Sequence, residues 1–201
     1  MRDEARKRVP ALSRRSILMA APALLAFTRA SRAQDGAPSW PPMFEAGRSQ
    51  FTVVRPRAAM PPLRLQDIGG RDVVVTAKPG RITLVNFWAT WCAACRLDLP
   101  MLARLAGSRP DRLDIVAICT DTRDPRKIRN FLGGLAVQNL ACFVDAHGTA
   151  AEASAAMFSL VGMPITYLVG TSSRVEGYIT GAPDWLSPAG ARLLQFYREQ
   201  A

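Results

Sequence analysis

Trp88-Ala89-Thr90-Trp91-Cys92-Ala93-Ala94-Cys95 is the stretch that decides how this chain is read. It follows an apolar, β-like run, Ile82-Thr83-Leu84-Val85-Asn86-Phe87, and precedes a segment of helical character over 96–106. Two cysteines three apart, where a strand gives way to a helix, read as a redox pair rather than as ordinary core. The helix N-terminus supplies unpaired N–H groups and a partial positive charge, which would stabilise a thiolate on Cys92. Cys95 lies one turn on, close enough to close a small disulfide ring.

Outward from this junction, strands and helices alternate. Leu63-Arg64-Leu65 and Val73-Val74-Val75 flank Gly69-Gly70, the pattern of a hairpin, which would sit at a sheet edge. A buried strand is expected over 82–87, and the helix over 96–106 contains Pro100, where a kink is expected. A strand over 113–119 leads to a helix opened by Asp124-Pro125 and ended by Gly133-Gly134. A short strand at 140–144, an Ala-rich helix at 149–160 and two strands at 165–169 and 175–180 follow, the last two joined by a turn. Ser187-Pro188 caps a final helix reaching residue 199. This succession predicts an α/β sheet covered on both faces, forming one domain over 63–201. Residues 34–62 carry Pro38, Pro41, Pro42, Pro56, Pro61 and Pro62 and read as an irregular N-terminal arm, either a tether or an arm wrapped on the domain.

The chain has 201 residues and a formal net charge of +10. Residues 1–33 hold eight of the 26 basic residues and two of the 16 acidic ones, so the remainder carries 18 against 14, or +4. No aromatic-interleaved basic patch stands out there, which argues against nucleic-acid binding. The first 33 residues have the three regions of a bacterial export signal. A basic stretch ends in Ser13-Arg14-Arg15-Ser16, an apolar run covers 17–27, and Ser31-Arg32-Ala33 offers small residues to a signal peptidase. Cleavage is expected after Ala33, and the paired arginines resemble a twin-arginine signal. The apolar run is about half the ~20 residues a membrane span needs, which favours cleavage over a membrane anchor. Export places the chain in the oxidising periplasm, where thiol pairs tend to form disulfides. The four cysteines then divide into Cys92 and Cys95 for chemistry, and Cys119 and Cys142 as a structural disulfide or two buried thiols, the bridge being favoured.

Several residues together resemble the thioredoxin-fold proteins of the TlpA/ResA type, exported thiol–disulfide oxidoreductases. The matching positions are 85–92, Cys95-Arg96, Asp98, Pro100, and Val161-Gly162-Met163-Pro164-Ile165-Thr166, and the similarity runs from about residue 60 to the C-terminus. The resemblance implies a thioredoxin-like fold, a central mixed sheet with helices on both faces and an N-terminal β-hairpin. It also implies a reductant of specific periplasmic protein disulfides, in cytochrome c maturation or at copper-site or copper-chaperone thiols, fed by a membrane thiol donor. It places Met163-Pro164 beside the cysteines with Pro164 cis, where the Met163 backbone would pair with an extended substrate strand.

Thiol–disulfide exchange needs an exposed attacking thiolate and a second thiol to resolve the mixed disulfide. Cys92 is assigned as nucleophile and Cys95 as resolving thiol, with no cofactor beyond their disulfide. Asp98, three residues after Cys95, shares a helical face with it. A carboxylate there either exchanges a proton during the reaction, as the resemblance implies, or is a solvated helix charge. Many thioredoxins carry a buried Asp where this chain has Asn86, which moves attention to Asp98. Trp91 is expected to be exposed beside Cys92 and to shape the docking face, Trp88 to be core, and Trp185 to pack at the last helix. Zinc needs more ligands than the cysteines and the single histidine, His147, provide. His147 reads as a surface turn residue, and Arg123, Arg126, Lys127 and Arg129 as a solvated helix face. A copper-binding metallochaperone using Cys92 and Cys95 is the competing reading. A thiol peroxidase would need a peroxidatic cysteine in its own Pro/Thr setting, which this chain does not show. The domain is expected to be a monomer.

Overall fold

The computed structural model describes residues 40–200, except 109, 146–147, 149 and 151–157. Strand β6 (Ile82–Trp88) lies wholly buried near the middle of an eight-stranded sheet ordered β3 (Thr52–Val53), β10 (Val175–Thr180), β9 (Ile165–Val169), β6, β7 (Leu113–Cys119), β8 (Cys142–Val144), β4 (Leu63–Asp67), β5 (Asp72–Val75). Its partners are β7 (Leu113–Cys119), parallel, and β9 (Ile165–Val169), antiparallel. A strand covered on both faces is expected to be apolar throughout, as β6 is apart from Thr83 and Asn86.

Alternation sorts the side chains onto two cores. Ile82, Leu84 and Trp88 face helices α1 (Cys95–Gly107), α2 (Pro125–Gly134) and α3 (Pro188–Glu199), meeting Leu99, Leu102, Ile128, Leu193 and Tyr197. Val85 and Phe87 face the other way, into a cluster with Ile118, Tyr167, Leu63 and Phe158. The helix expected over 149–160 falls mostly outside the described residues, and so do His147 and the leader with Ala33. Helices α1 and α2 are the crossovers that parallel pairing demands, joining β6 to β7 and β7 to β8 (Cys142–Val144).

Local signals act where expected. Asp124 accepts from the Arg126 N–H at 2.9 Å and Pro125 fills the first helical position; Ser187 accepts from the Gly190 N–H at 3.1 Å ahead of α3. Strands β4 (Leu63–Asp67) and β5 (Asp72–Val75) form the edge hairpin. Helix α1 continues through Pro100. Helix α2 ends at Gly133-Gly134, as expected, although the left-handed residue after it is Ala136, at φ +54°. Among the described residues, no helix is long and apolar enough to cross a membrane.

The arm is wrapped on the domain, not a tether, and it departs from expectation in carrying short strands. From Phe44 onward it is built into the domain. β1 (Glu45–Ala46) and β2 (Ser49–Gln50) form a small hairpin, and β3 (Thr52–Val53) pairs antiparallel with β10 (Val175–Thr180). Phe44 packs on Trp185 with ring centroids 4.9 Å apart, and Phe51 on Tyr197 at 5.9 Å. Phe51 comes so close to Gly177 that a Cβ there would lie 2.6 Å from its ring, so only glycine fits. Arg57 holds the buried Glu176 carboxylate at 3.2 Å. Two-residue strands between prolines leave no period to read, and the aromatic anchors, not the prolines, decide this segment.

Candidate active site

The loop between β6 and α1 carries the two cysteines. The Cys92 N–H donates to the Ala89 carbonyl at 3.2 Å, and Ala94 is the residue before the helix. Cys92 and Cys95 form a disulfide with Cα atoms 5.3 Å apart. The Cys95 N–H, one of the first free donors of α1, points at Cys92 Sγ at 3.1 Å. A donor aimed at that sulfur, with the rest of the helix N-terminus behind it, is the arrangement that favours a thiolate once the bond is reduced. Cys95 is wholly buried and Cys92 4% exposed, while neighbouring Trp91 is 71% exposed.

Asn86 shares the face of Ile82, Leu84 and Trp88, so it points at α1. There its side-chain amide donates to Asp98 Oδ2 at 2.7 Å and to Thr166 Oγ1 at 2.9 Å. Asp98 is therefore no solvated helix charge: it is fully buried, on the same helical face as Cys95. Burial pushes its carboxyl up to about 7, against the opposing effect of the Asn86 hydrogen bond. Its second oxygen, Oδ1, has no partner among the described residues. A carboxyl near neutral with an uncommitted oxygen is chemically able to take a proton and give it back.

The Met163–Pro164 peptide is cis. Met163 is partly buried against the cluster that contains both cysteines. It joins Trp91, Thr120, Asp121, Arg123 and Leu160 in lining an open groove of about 780 Å³. The structure thus brings Trp91 and Met163 to one groove.

Sequence reasoning missed one element. The Asp121 carboxylate accepts from the Thr90 N–H at 2.9 Å and from the Thr90 hydroxyl at 2.7 Å. Burial opposes the charge on Asp121, but the Thr90 hydrogen bonds outweigh it and hold the carboxyl below its ordinary value. The signal was in the register. Trp88 stands opposite Cys119, so residues 90 and 121 each lie two beyond paired positions.

The expected Cys119–Cys142 bridge is absent; both are buried free thiols. Cys142 stands opposite Ala117 and Cys119 opposite Val144, so the two are staggered by two residues. The Cys119 thiol donates instead to Asp121 Oδ1 at 3.2 Å. Burial pushes both thiols up to about 12, which leaves them protonated and inert. Trp88 is core, stacked on Phe131 at 5.4 Å, and Trp185 packs with Phe44 in the core cluster that includes α3. Among the described residues, no group of three or more His, Cys, Asp or Glu is placed to hold a metal.

Comparison with known proteins agrees with this geometry. The chain is 38% identical over 96 residues to the thiol:disulfide interchange protein CycY of Rhizobium leguminosarum bv. viciae, a match covering 48% of each chain. It is 29% identical over 124 residues to the thiol:disulfide interchange protein HelX of Rhodobacter capsulatus, covering 60% of this chain and 65% of HelX. The matches thus span between about half and two thirds of these two relatives. Among solved structures, a thioredoxin-family protein from Chlorobium tepidum superposes with a TM-score of 0.56 at 19% identity, over 70% of this chain and 99% of that one. StoA from Bacillus subtilis gives 0.53 at 18% identity, over 69% and 98%. The fold is thioredoxin-like. Residues 56–177, more than half of the chain, match the AhpC/TSA family model, and the chain belongs to the AhpC/TSA family.

Proposed function

We propose that this chain is an exported thiol–disulfide oxidoreductase that reduces specific protein disulfides. The observation that carries the reading is the Cys92–Cys95 disulfide at the mouth of α1, with the Cys95 N–H directed at Cys92 Sγ. In the reduced protein, the Cys92 thiolate attacks one sulfur of a substrate disulfide. That S–S bond breaks, one substrate sulfur leaves as a thiolate, and a mixed disulfide forms on Cys92. Cys95 then gives up its proton, with Asp98 as acceptor, and attacks the Cys92 sulfur. The second substrate thiolate is released, and two electrons have passed from the dithiol to the substrate. A membrane thiol donor would restore the dithiol. Trp91, Met163 and Pro164 form the docking face, where the Met163 backbone pairs with an extended substrate segment.

The TlpA/ResA resemblance supports cytochrome c maturation or copper-site thiols as the destination, and the leader supports the periplasm, with cleavage near Ala33 and a monomeric mature protein. The decisive experiment is trapping with Cys95→Ser. That variant should hold its substrate as a mixed disulfide on Cys92. A variant that traps no protein, in a chain that binds copper tightly without reductase activity, would hand the cysteines to the metallochaperone reading. The role of Asp98 has its own test: an unchanged pH profile of Cys95 reactivity in Asp98→Asn would remove it from the proton path.

A further inference from the structure

Three cations lie along one side of the site. Arg123 lines the groove that Trp91 and Met163 share. Lys127 follows four residues on, in the first turn of α2, near enough to Asp121 to favour its negative charge. Four residues further comes Phe131, with the Arg96 guanidinium 5.0 Å above its ring centroid. Phe131 itself stacks on Trp88, at the end of β6. Arg123, Lys127 and Arg96 therefore form an arc from the groove round to the first turn of α1, next in sequence to Cys95. All three are exposed, and none is ion-paired among the described residues.

The carboxylates close by are engaged. Asp121 takes both Thr90 donors and the Cys119 thiol. Asp145 accepts from the Ala150 N–H at 3.2 Å, and Asp124 caps α2. These carboxylates keep their charge, but each is tied to donors within the fold, whereas Arg123, Lys127 and Arg96 stand exposed with no ion-pair partner among the described residues.

We infer that this arc selects protein substrates whose cysteine-bearing segment is flanked by acidic residues, which lie along Arg123, Lys127 and Arg96 while the substrate disulfide meets Cys92. The inference rests on the oxidoreductase reading and names its substrate class. Charges at the rim of a site act chiefly on encounter rate and partner choice, and salt weakens them.

The test uses the pre-reduced full chain and two synthetic peptides. Each peptide closes one intramolecular disulfide, and they differ only in Glu against Lys flanks. The protein should reduce the Glu-flanked peptide at least about tenfold faster at low ionic strength, with the preference collapsing in high salt. Arg123→Glu with Lys127→Glu should invert the preference, and inversion itself shows that the variant is folded. Equal rates on both peptides, with the neutral hydroxyethyl disulfide also reduced, would overturn the inference and leave the oxidoreductase reading standing. Equal rates together with sedimentation on phosphatidylglycerol vesicles would assign the arc to a lipid surface and equally overturn it. Failure to reduce either peptide or hydroxyethyl disulfide would overturn the oxidoreductase reading, and this inference with it.

Discussion

Asn86 donates its side-chain amide to Asp98 at 2.7 Å, and neither residue touches solvent. A strand position and a helix position twelve residues apart are joined beneath the reactive loop by one charge-assisted hydrogen bond. That bond is the influence opposing the upward push of burial on Asp98. Asn86→Ala should therefore raise the Asp98 midpoint above about 7. A hydrogen bond to a charged group contributes about 1.5–3 kcal/mol, so the rise should be about one unit or more. Carboxyl carbon NMR across the titration reads it directly. A midpoint that stays put or falls would mean that Asn86 does not support the carboxylate.

The same shift makes Asp98 a pH-dependent liability. Unfolded, it titrates near 3.8; folded, near 7. Between those values the native state holds more protons than the unfolded one, so stability falls as pH rises and the loss is complete above the folded value. Asp98→Asn escapes this. In the oxidised protein it should be more stable than the parent at pH 8, by an amount on the order of 4 kcal/mol at most, at 1.36 kcal/mol per unit. The gap should close toward pH 4. Urea unfolding at both pH values measures it, and a gap independent of pH would refute the assignment.

Thr90 and Asp121 pin the loop in front of Cys92 to the end of β7. Thr90→Val removes the hydroxyl donor and should cost about 0.5–1.5 kcal/mol, the range of a partly exposed hydrogen bond. It should also raise the Asp121 midpoint, since the Thr90 hydroxyl is the foremost influence holding it down. A double-mutant cycle with Asp121→Asn checks the pairing by chemical denaturation. Strict additivity would show that the two side chains do not work together.

The buried thiols yield a mass-spectrometric prediction. The oxidised protein should take up no iodoacetamide while folded. Unfolded without reductant, it should take up two equivalents, at Cys119 and Cys142, because these are free. Four equivalents should appear only after reduction. A denatured, unreduced chain that takes up none would put the second bridge back.

The strand, cysteine pair and helix were legible because their signals are local and agree with one another: an apolar run, a CxxC and amphipathic spacing. Pro164 was legible through its neighbours in the resemblance. The burial of Asp98 was half legible. Its spacing to Cys95 gave the helical face, and the alternation of Ile82, Leu84, Asn86 and Trp88 pointed an amide at that face, but only packing shows the carboxyl shut away from water. Cys119 and Cys142 show what sequence withholds. These two cysteines, staggered by two residues on neighbouring strands, face the same way without opposing each other, and register decides. The arm was hidden for another reason: Phe44 and Phe51 find their partners, Trp185 and Tyr197, more than 100 positions away.

That arm sets where an independently folding fragment has to begin. Cut at residue 63, the chain would lose Arg55 and Arg57, 4.0 and 3.2 Å from the Glu176 carboxylate, and leave that charge unpaired wherever it stays shielded from water. Desolvating a lone carboxylate costs several kcal/mol, comparable to the whole stability of a small domain. The same cut would bare the β10 edge and uncover Tyr197 and Trp185. The smallest autonomous piece of this protein therefore reaches back to Phe44, and fragments starting at the visible hairpin should aggregate rather than fold.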